Sequence, residues 1–141
     1  MHRQRERGQA VAEFAILLPV LALIVLGCLD LGRVFSVWLA LSNGTREGAD
    51  YVAANPTARW EDVEAHALAD LGDLERLERQ GVLLGPIDFD IDPDTADERI
   101  GGQPVTVTAQ CSVTLVTTYL FKGQPVAIKA STQMAVLPGK K

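Results

Sequence analysis

The side chain most out of place in this 141-residue chain is Glu13, which opens a run of sixteen residues, Phe14 to Leu29, without a single charge. A carboxylate in a membrane helix costs about 2.5 to 3.5 kcal/mol at the bilayer centre and less toward the interface, so it calls for a partner. Glu13 lies five residues after Gly8, in the string Arg-Gly-Gln-Ala-Val-Ala-Glu-Phe. A cut between Gly8 and Gln9 would create an amino group on Gln9, four residues before Glu13 and on the same helical face. That amine, or the equivalent one of a neighbouring subunit, would neutralise the carboxylate. The plainer alternative is that Glu13 snorkels to the headgroups.

The other chemistry-bearing residues assemble into less. Asp90, Asp92, Asp94 and Asp97 approximate the carboxylate spacing of a calcium loop, but Thr95 stands where the sharp turn needs glycine and Gly101 where the closing glutamate belongs. Phe89 and Ile91 alternate with these acids, which favours a solvated strand face leading into a loop. His2 and His66 are the two histidines, the second on a predicted amphipathic helix, where a surface role is expected. Cys28 falls in the apolar run and Cys111 in a predicted strand, so two buried free thiols are expected rather than a disulfide. No zinc spacing, phosphate-binding glycine loop or nucleophile elbow is present, and neither an enzyme nor a cofactor is expected.

Charge and length set the frame for these residues. The chain has 13 basic and 18 acidic residues, a net charge of −5, without a basic cluster interleaved with aromatics, so nucleic acid is not an expected partner. The first eight residues carry Arg3, Arg5 and Arg7 against Glu6, and that basic head before an apolar run places the N-terminus in the cytoplasm and the body outside it. As a helix, sixteen residues rise about 24 Å, short of the roughly 30 Å hydrocarbon core. Counting from Ala10 gives twenty residues to Leu29, the spanning length, with membrane lipid as the partner of this segment. Asp30 and Arg33, three apart, are placed to pair at the lipid boundary. Phe35 and Trp38 follow near the outer interface.

Two other accounts of this end compete. A secretory signal needs a small-x-small cleavage site, which Leu26-Gly27-Cys28 does not supply. Val25-Leu26-Gly27-Cys28 is similar to a lipobox, and would make the chain a lipidated or membrane-anchored extracytoplasmic binding module.

Beyond the lipid, Val34, Trp38, Leu41, Thr45, Gly48 and Val52 recur at spacings of three and four, a stripe suited to packing on a folded domain. Gly44 and Gly48 form a small-xxx-small pair that allows close backbone approach, most simply within the chain. Pro19 removes a helical hydrogen bond, so a kink or local melting is expected there. Asn55-Pro56 ends this helix near Ala54 and is expected to start the next, running from Thr57 to about Gln80 with Trp60, Val63, Ala67, Leu71 and Leu74 on its apolar face and a break at Gly72. Val82 to Ile91 predicts a strand with a turn near Gly85. Val105, Val107, Ala109, Cys111, Val113 and Leu115 alternate with polar residues, a second strand, and Val126 to Val136 predicts a third after the turn at Lys122 to Pro125.

The whole N-terminal pattern, Gly8-Gln9-Ala10-Val11-Ala12-Glu13-Phe14 through Pro19, Asp30-Leu31-Gly32-Arg33, Ala40-Leu41-Ser42-Asn43 and Arg46-Glu47-Gly48-Ala49, resembles the TadE family of pseudopilins from tight-adherence (Flp-type) pilus systems. The resemblance covers about Gly8 to Val52; Asp50 departs from it, standing where related sequences often continue with a basic residue. It implies a type IV pilin-like, single-pass protein of the cytoplasmic membrane, cut by prepilin peptidase at Gly8–Gln9, with Glu13 as the assembly carboxylate. The implied partners are other pilin-like subunits and pilus assembly proteins, and the implied role is that of a minor component serving adhesion or secretion.

The expected architecture is α+β and pilin-like: a basic leader (1–8), a long N-terminal helix (9–54) spanning the membrane at about 10–29, and an extracytoplasmic body (55–141). The body holds a second amphipathic helix and three or four antiparallel strands.

Overall fold

A computed structural model describes residues 2–69, 78, 79 and 81–138. Its first element, α1 (His2–Ala54), is 53 residues long, which corresponds to about 80 Å. It runs through Pro19 without interruption, so the expected local melting is absent. From Gly8 onward it is long and apolar enough to cross a membrane, and the most apolar part is almost wholly exposed. A helix this long with half its length unpacked owes little to tertiary contacts there; its many strong helix formers, alanine and leucine above all, favour it.

The second half of α1 is half of a core. Val37, Leu41, Thr45, Ala49 and Val52 are fully enclosed, with Gly44, Gly48 and Ala53 beside them. The expected stripe is realised at Leu41, Thr45, Gly48 and Val52, with Val34 packed against the core; the exception is Trp38, which is 45% exposed and faces outward with Phe35, the two rings 6.0 Å apart, while Val37 takes the inner place. The helix ends at Ala54 as the Asn-Pro pair predicts, with the Asn55 side-chain amide donating to the Tyr51 carbonyl at 3.1 Å. Pro56 does not start the next helix. It sits in a turn, and α2 begins four residues later (Trp60–Ala69), burying Val63 and Ala67. The expected continuation through Leu71, Gly72 and Leu74 lies outside the described residues.

Three strands, β1 (Leu83–Asp92), β2 (Pro104–Val113) and β3 (Val126–Ala135), form an antiparallel sheet in sequence order. The period-two pattern of β2 is realised as far as Val113, with Val105, Val107, Ala109, Cys111 and Val113 all buried on the side facing α1, while Leu115 falls beyond the strand and is half-buried. Full burial of such an aliphatic side chain contributes roughly 1.5 to 3 kcal/mol, so this one strand face is a major source of stability. In β1 the expected turn near Gly85 is instead a bulge: Leu84 pairs with Ser112 and Asp88 with Gln110, so extra residues are extruded around Gly85, whose φ is +85°. The bulge keeps Phe89 and Ile91 on the core face. A short helix that the sequence pattern did not predict, α3 (Val116–Phe121), connects β2 to β3, and a 3-10 turn (Ala96–Glu98) lies between β1 and β2.

Helix and sheet are matched in length. From Asp30 to Ala53, α1 rises about 35 Å, and ten-residue strands extend about 33 Å. Contacts at both ends fix the alignment: Asp30 bonds to the start of α3, and the Leu137 amide donates to the Ala53 carbonyl at 3.0 Å. Midway, the Thr45 and Thr132 hydroxyls lie 2.9 Å apart. One end of the body therefore holds Asp30, Leu83, Val113, α3 and Val126, and the other holds Ala53, Asp92, Pro104 and Ala135.

Candidate functional site

The N-terminal part of α1 leaves exposed the residues expected to matter, Gly8, Gln9, Glu13 and Pro19. Gly8 is exposed, and a Cβ added there would meet nothing within 4 Å. One residue on, the Gln9 side-chain amide donates to a Glu13 carboxylate oxygen at 3.1 Å, an i,i+4 pair on the helix surface. Within the chain Glu13 thus has a neutral partner, and it comes from the residue on which cleavage would place a charge. Pro19 is exposed and packs on nothing within the chain.

Where the apolar run ends, the geometry changes abruptly. Asp30 is only 4% exposed. Its carboxylate accepts the backbone N–H of Val116 at 2.7 Å, the N–H of Thr117 at 2.9 Å and the Thr117 hydroxyl at 2.7 Å. Two of the orphan donors of the first turn of α3 are thereby satisfied by a residue of another helix. Arg33, the expected partner, is the weaker neighbour at 3.8 Å. The Asp30–Arg33 pair expected from the local spacing does form, but the sequence could not show the closer donors, which lie 86 and 87 residues away.

Further along the same helix, Gly48 is a close-approach site. An added Cβ would lie 3.3 Å from Ala67 Cβ and 3.5 Å from Val107 Cγ1, so α1, α2 and β2 meet at this position. Gly44 is buried one turn earlier. The approach made at Gly48 is intramolecular, between the anchor helix and its own body.

Residues 8–50 of the chain match the family model described as TadE-like protein. The N-terminal third of the chain is TadE-like. No curated protein and no solved structure matches the chain. The TadE-like match starts at Gly8, includes Gln9, Glu13, Pro19, Asp30, Gly44 and Gly48, and stops at Asp50, so it ends where α1 is about to give way to the body.

Outside the TadE-like segment, the most constrained polar group is Arg99, which no sequence pattern singled out. It is 5% exposed, and its guanidinium donates to the carbonyls of Pro93 (3.0 Å), Asp94 (2.8 Å), Ala58 (3.1 Å) and Pro56 (3.4 Å). Burial pulls this group below its usual range, and the nearby Asp94 charge pulls it back. The acidic loop that approximated a calcium site is therefore wrapped around a cation of the protein's own. Asp92, Asp94 and Asp97 are exposed at its rim, and among the described residues no group of three or more His, Cys, Asp or Glu is arranged to hold a metal.

The remaining candidates fall into structural places. His66 stacks on Tyr51 at 3.7 Å with an 18° interplanar angle and donates through Nδ1 to the Asp62 carbonyl at 2.8 Å, so it fastens α2 to α1. Cys111 is buried, and burial pushes its thiol up. Cys28 is exposed on the apolar part of α1 rather than buried within the fold.

Proposed function

We propose that this chain is a minor pilin-like subunit, a pseudopilin, of a tight-adherence type IV pilus, and that it acts by assembly rather than by turnover. The TadE-like match beginning at Gly8 is the observation that carries this reading. A prepilin peptidase cuts after Gly8, removing the basic leader. Arg3, Arg5 and Arg7 hold that leader in the cytoplasm, the helix crosses the inner membrane at about residues 10–29, and the body stands on the far side.

The Gln9–Glu13 contact supports a role for the cut. Gln9 already reaches the carboxylate through its amide at 3.1 Å. Cleavage would add a positive α-amine to that same residue. Charge-assisted pairing is roughly twice as strong as a neutral hydrogen bond, so a mature subunit, or the mature neighbour beside it, would make a better partner for Glu13 than the precursor does. Coupling assembly to processing follows, since only cut chains carry the amine.

Substituting Glu13→Ala tests this directly. The variant should be cut normally yet be lost from the assembled pilus fraction and retained in the membrane. Unchanged incorporation would remove the amine-pairing role.

A further inference from the structure

The two ends of the body differ in charge, although the Ala53 end also exposes the apolar side chains of Ile100 and Leu137. Of the six carboxylates from Asp88 to Glu98, Asp88, Asp90 and Asp92 lie along β1, and Asp94, Asp97 and Glu98 lie in the loop beyond its Ala53 end. At the Asp30 end, α3 exposes Tyr119 (77%) and Leu120 (58%), with Leu84 and Val126 also exposed at the paired strand ends. Lys122, in the left-handed conformation that closes α3, is exposed directly after them.

The position of this end along α1 is fixed by three hydrogen bonds to Asp30, the first residue after the uncharged run. On the face of α1 turned away from the body, Leu31, Phe35, Trp38 and Leu39 remain exposed. The helix is thus apolar on its outer side at the level where α3 lies against its inner side. Tyrosine, tryptophan and lysine with leucine between them suit the bilayer interface, where rings and stems enter and polar tips stay wet. Asp94, Asp97 and Glu98 lie at the end of the body opposite Lys122.

We propose that α3 is a second membrane contact: Tyr119 and Leu120 enter the outer interface of the bilayer beside the emerging α1, so that the body is seated on the lipid rather than swinging above it. This rests on the membrane-spanning reading of α1. Asp30 then has a positioning role, holding α3 at interfacial depth through its first-turn amides, and seating lasts while the subunit is in the membrane. A neutral or repelled α3 would leave the body joined to lipid by α1 alone.

Spin labels in the full chain test the proposal, in a background carrying Cys28→Ala and Cys111→Ala and reconstituted into vesicles of phosphatidylethanolamine and phosphatidylglycerol. Three exposed positions are labelled separately: Leu120→Cys on α3, Asp97→Cys at the acidic end, and Leu21→Cys in the apolar run. Collision with oxygen relative to a water-soluble nickel chelate reports depth. The expected result is a ratio at 120 several-fold above that at 97 and below that at 21, with Tyr119→Cys behaving like 120. If 21 reports lipid but 119 and 120 are as wet as 97, the seating is wrong and the spanning helix stands. If 21 itself is wet, the membrane reading fails and this inference with it. Protection at 120 accompanied by label-to-label broadening that disappears on dilution with unlabelled chain would assign the patch to a second copy and overturn the proposal.

Discussion

The carboxylate of Asp30 accepts the Thr117 hydroxyl at 2.7 Å and the Thr117 amide at 2.9 Å, joining the end of the uncharged run of α1 to a residue 87 positions later in the chain. The consequence is mechanical. Without the contact, the Asp30 end of the body would be joined to α1 only by packing, whereas the contact pins it at the end of the uncharged run.

Removing that contact should be costly. Asp30→Ala strands two amides of α3, and hydrogen bonds to a charged group are worth about 1.5 to 3 kcal/mol each in context, so a loss of about 2 to 3 kcal/mol in unfolding free energy is expected in detergent. Thr117→Val removes the hydroxyl alone and should cost about 1 kcal/mol. A double-mutant cycle by denaturant titration should show coupling between the two sites; strict additivity would mean that the geometry contributes nothing.

Arg99→Ala should destabilise the protein by about 3 kcal/mol, because each buried acceptor left unpaired costs about 1 to 3 kcal/mol and water can recover part of that loss. Arg99→Lys should rescue little, since one ammonium cannot reach carbonyls from both the Pro56–Ala58 turn and the Pro93–Asp94 turn. Thermal unfolding of the two variants checks this, and full rescue by lysine would contradict it.

Glycine substitutions should sort by position. Gly48→Leu forces a branched side chain between Ala67 and Val107 and should cost about 1 to 3 kcal/mol or prevent folding. Gly101→Ala sets a Cβ at 2.9 Å from the Pro138 backbone, which must shift. Gly32→Ala meets nothing within 4 Å and should gain up to about 1 kcal/mol of helix propensity. Melting temperatures in one detergent rank the three; Gly48→Leu at least as stable as Gly32→Ala would contradict the packing described.

The two thiols should differ in reactivity. Cys28 should react with maleimide in detergent, and Cys111 should react only on unfolding. Burial raises the Cys111 thiol, so its folded form resists ionisation. Stability from keeping it protonated is complete below the ordinary thiol range, and folding weakens as pH rises through and above that range. Cys111→Ala should flatten that alkaline decline, as unfolding measured against pH would show.

The elements that bury a regular face were legible in the sequence, and those held by distant partners were not. The alternation from Val105 to Val113 specified β2 because one residue in two had to be buried, and Asn55-Pro56 marked the end of α1 through backbone sterics. In Val116–Phe121 there is no helical period to find, because six residues make less than two turns and the helix start is satisfied by Asp30. The stripe on α1 failed only at Trp38, which hydrophobicity alone placed inward and which instead lies exposed beside Phe35. Arg99 was hidden in a run of acids that suggested a metal, since sequence shows charges but not the carbonyls turned toward them. The contact between Gln9 and Glu13 was legible because its i,i+4 spacing is local to one helix.

The central claim is that the mature chain begins at Gln9, and intact-mass measurement of protein extracted from membranes of pilus-assembling cells tests it most directly. The account predicts loss of the first eight of 141 residues, leaving 133, with net charge moving from −5 to −7 as the leader takes away three arginines and one glutamate. A chain of full length in those cells, or one beginning at a lipid-modified Cys28, would contradict it.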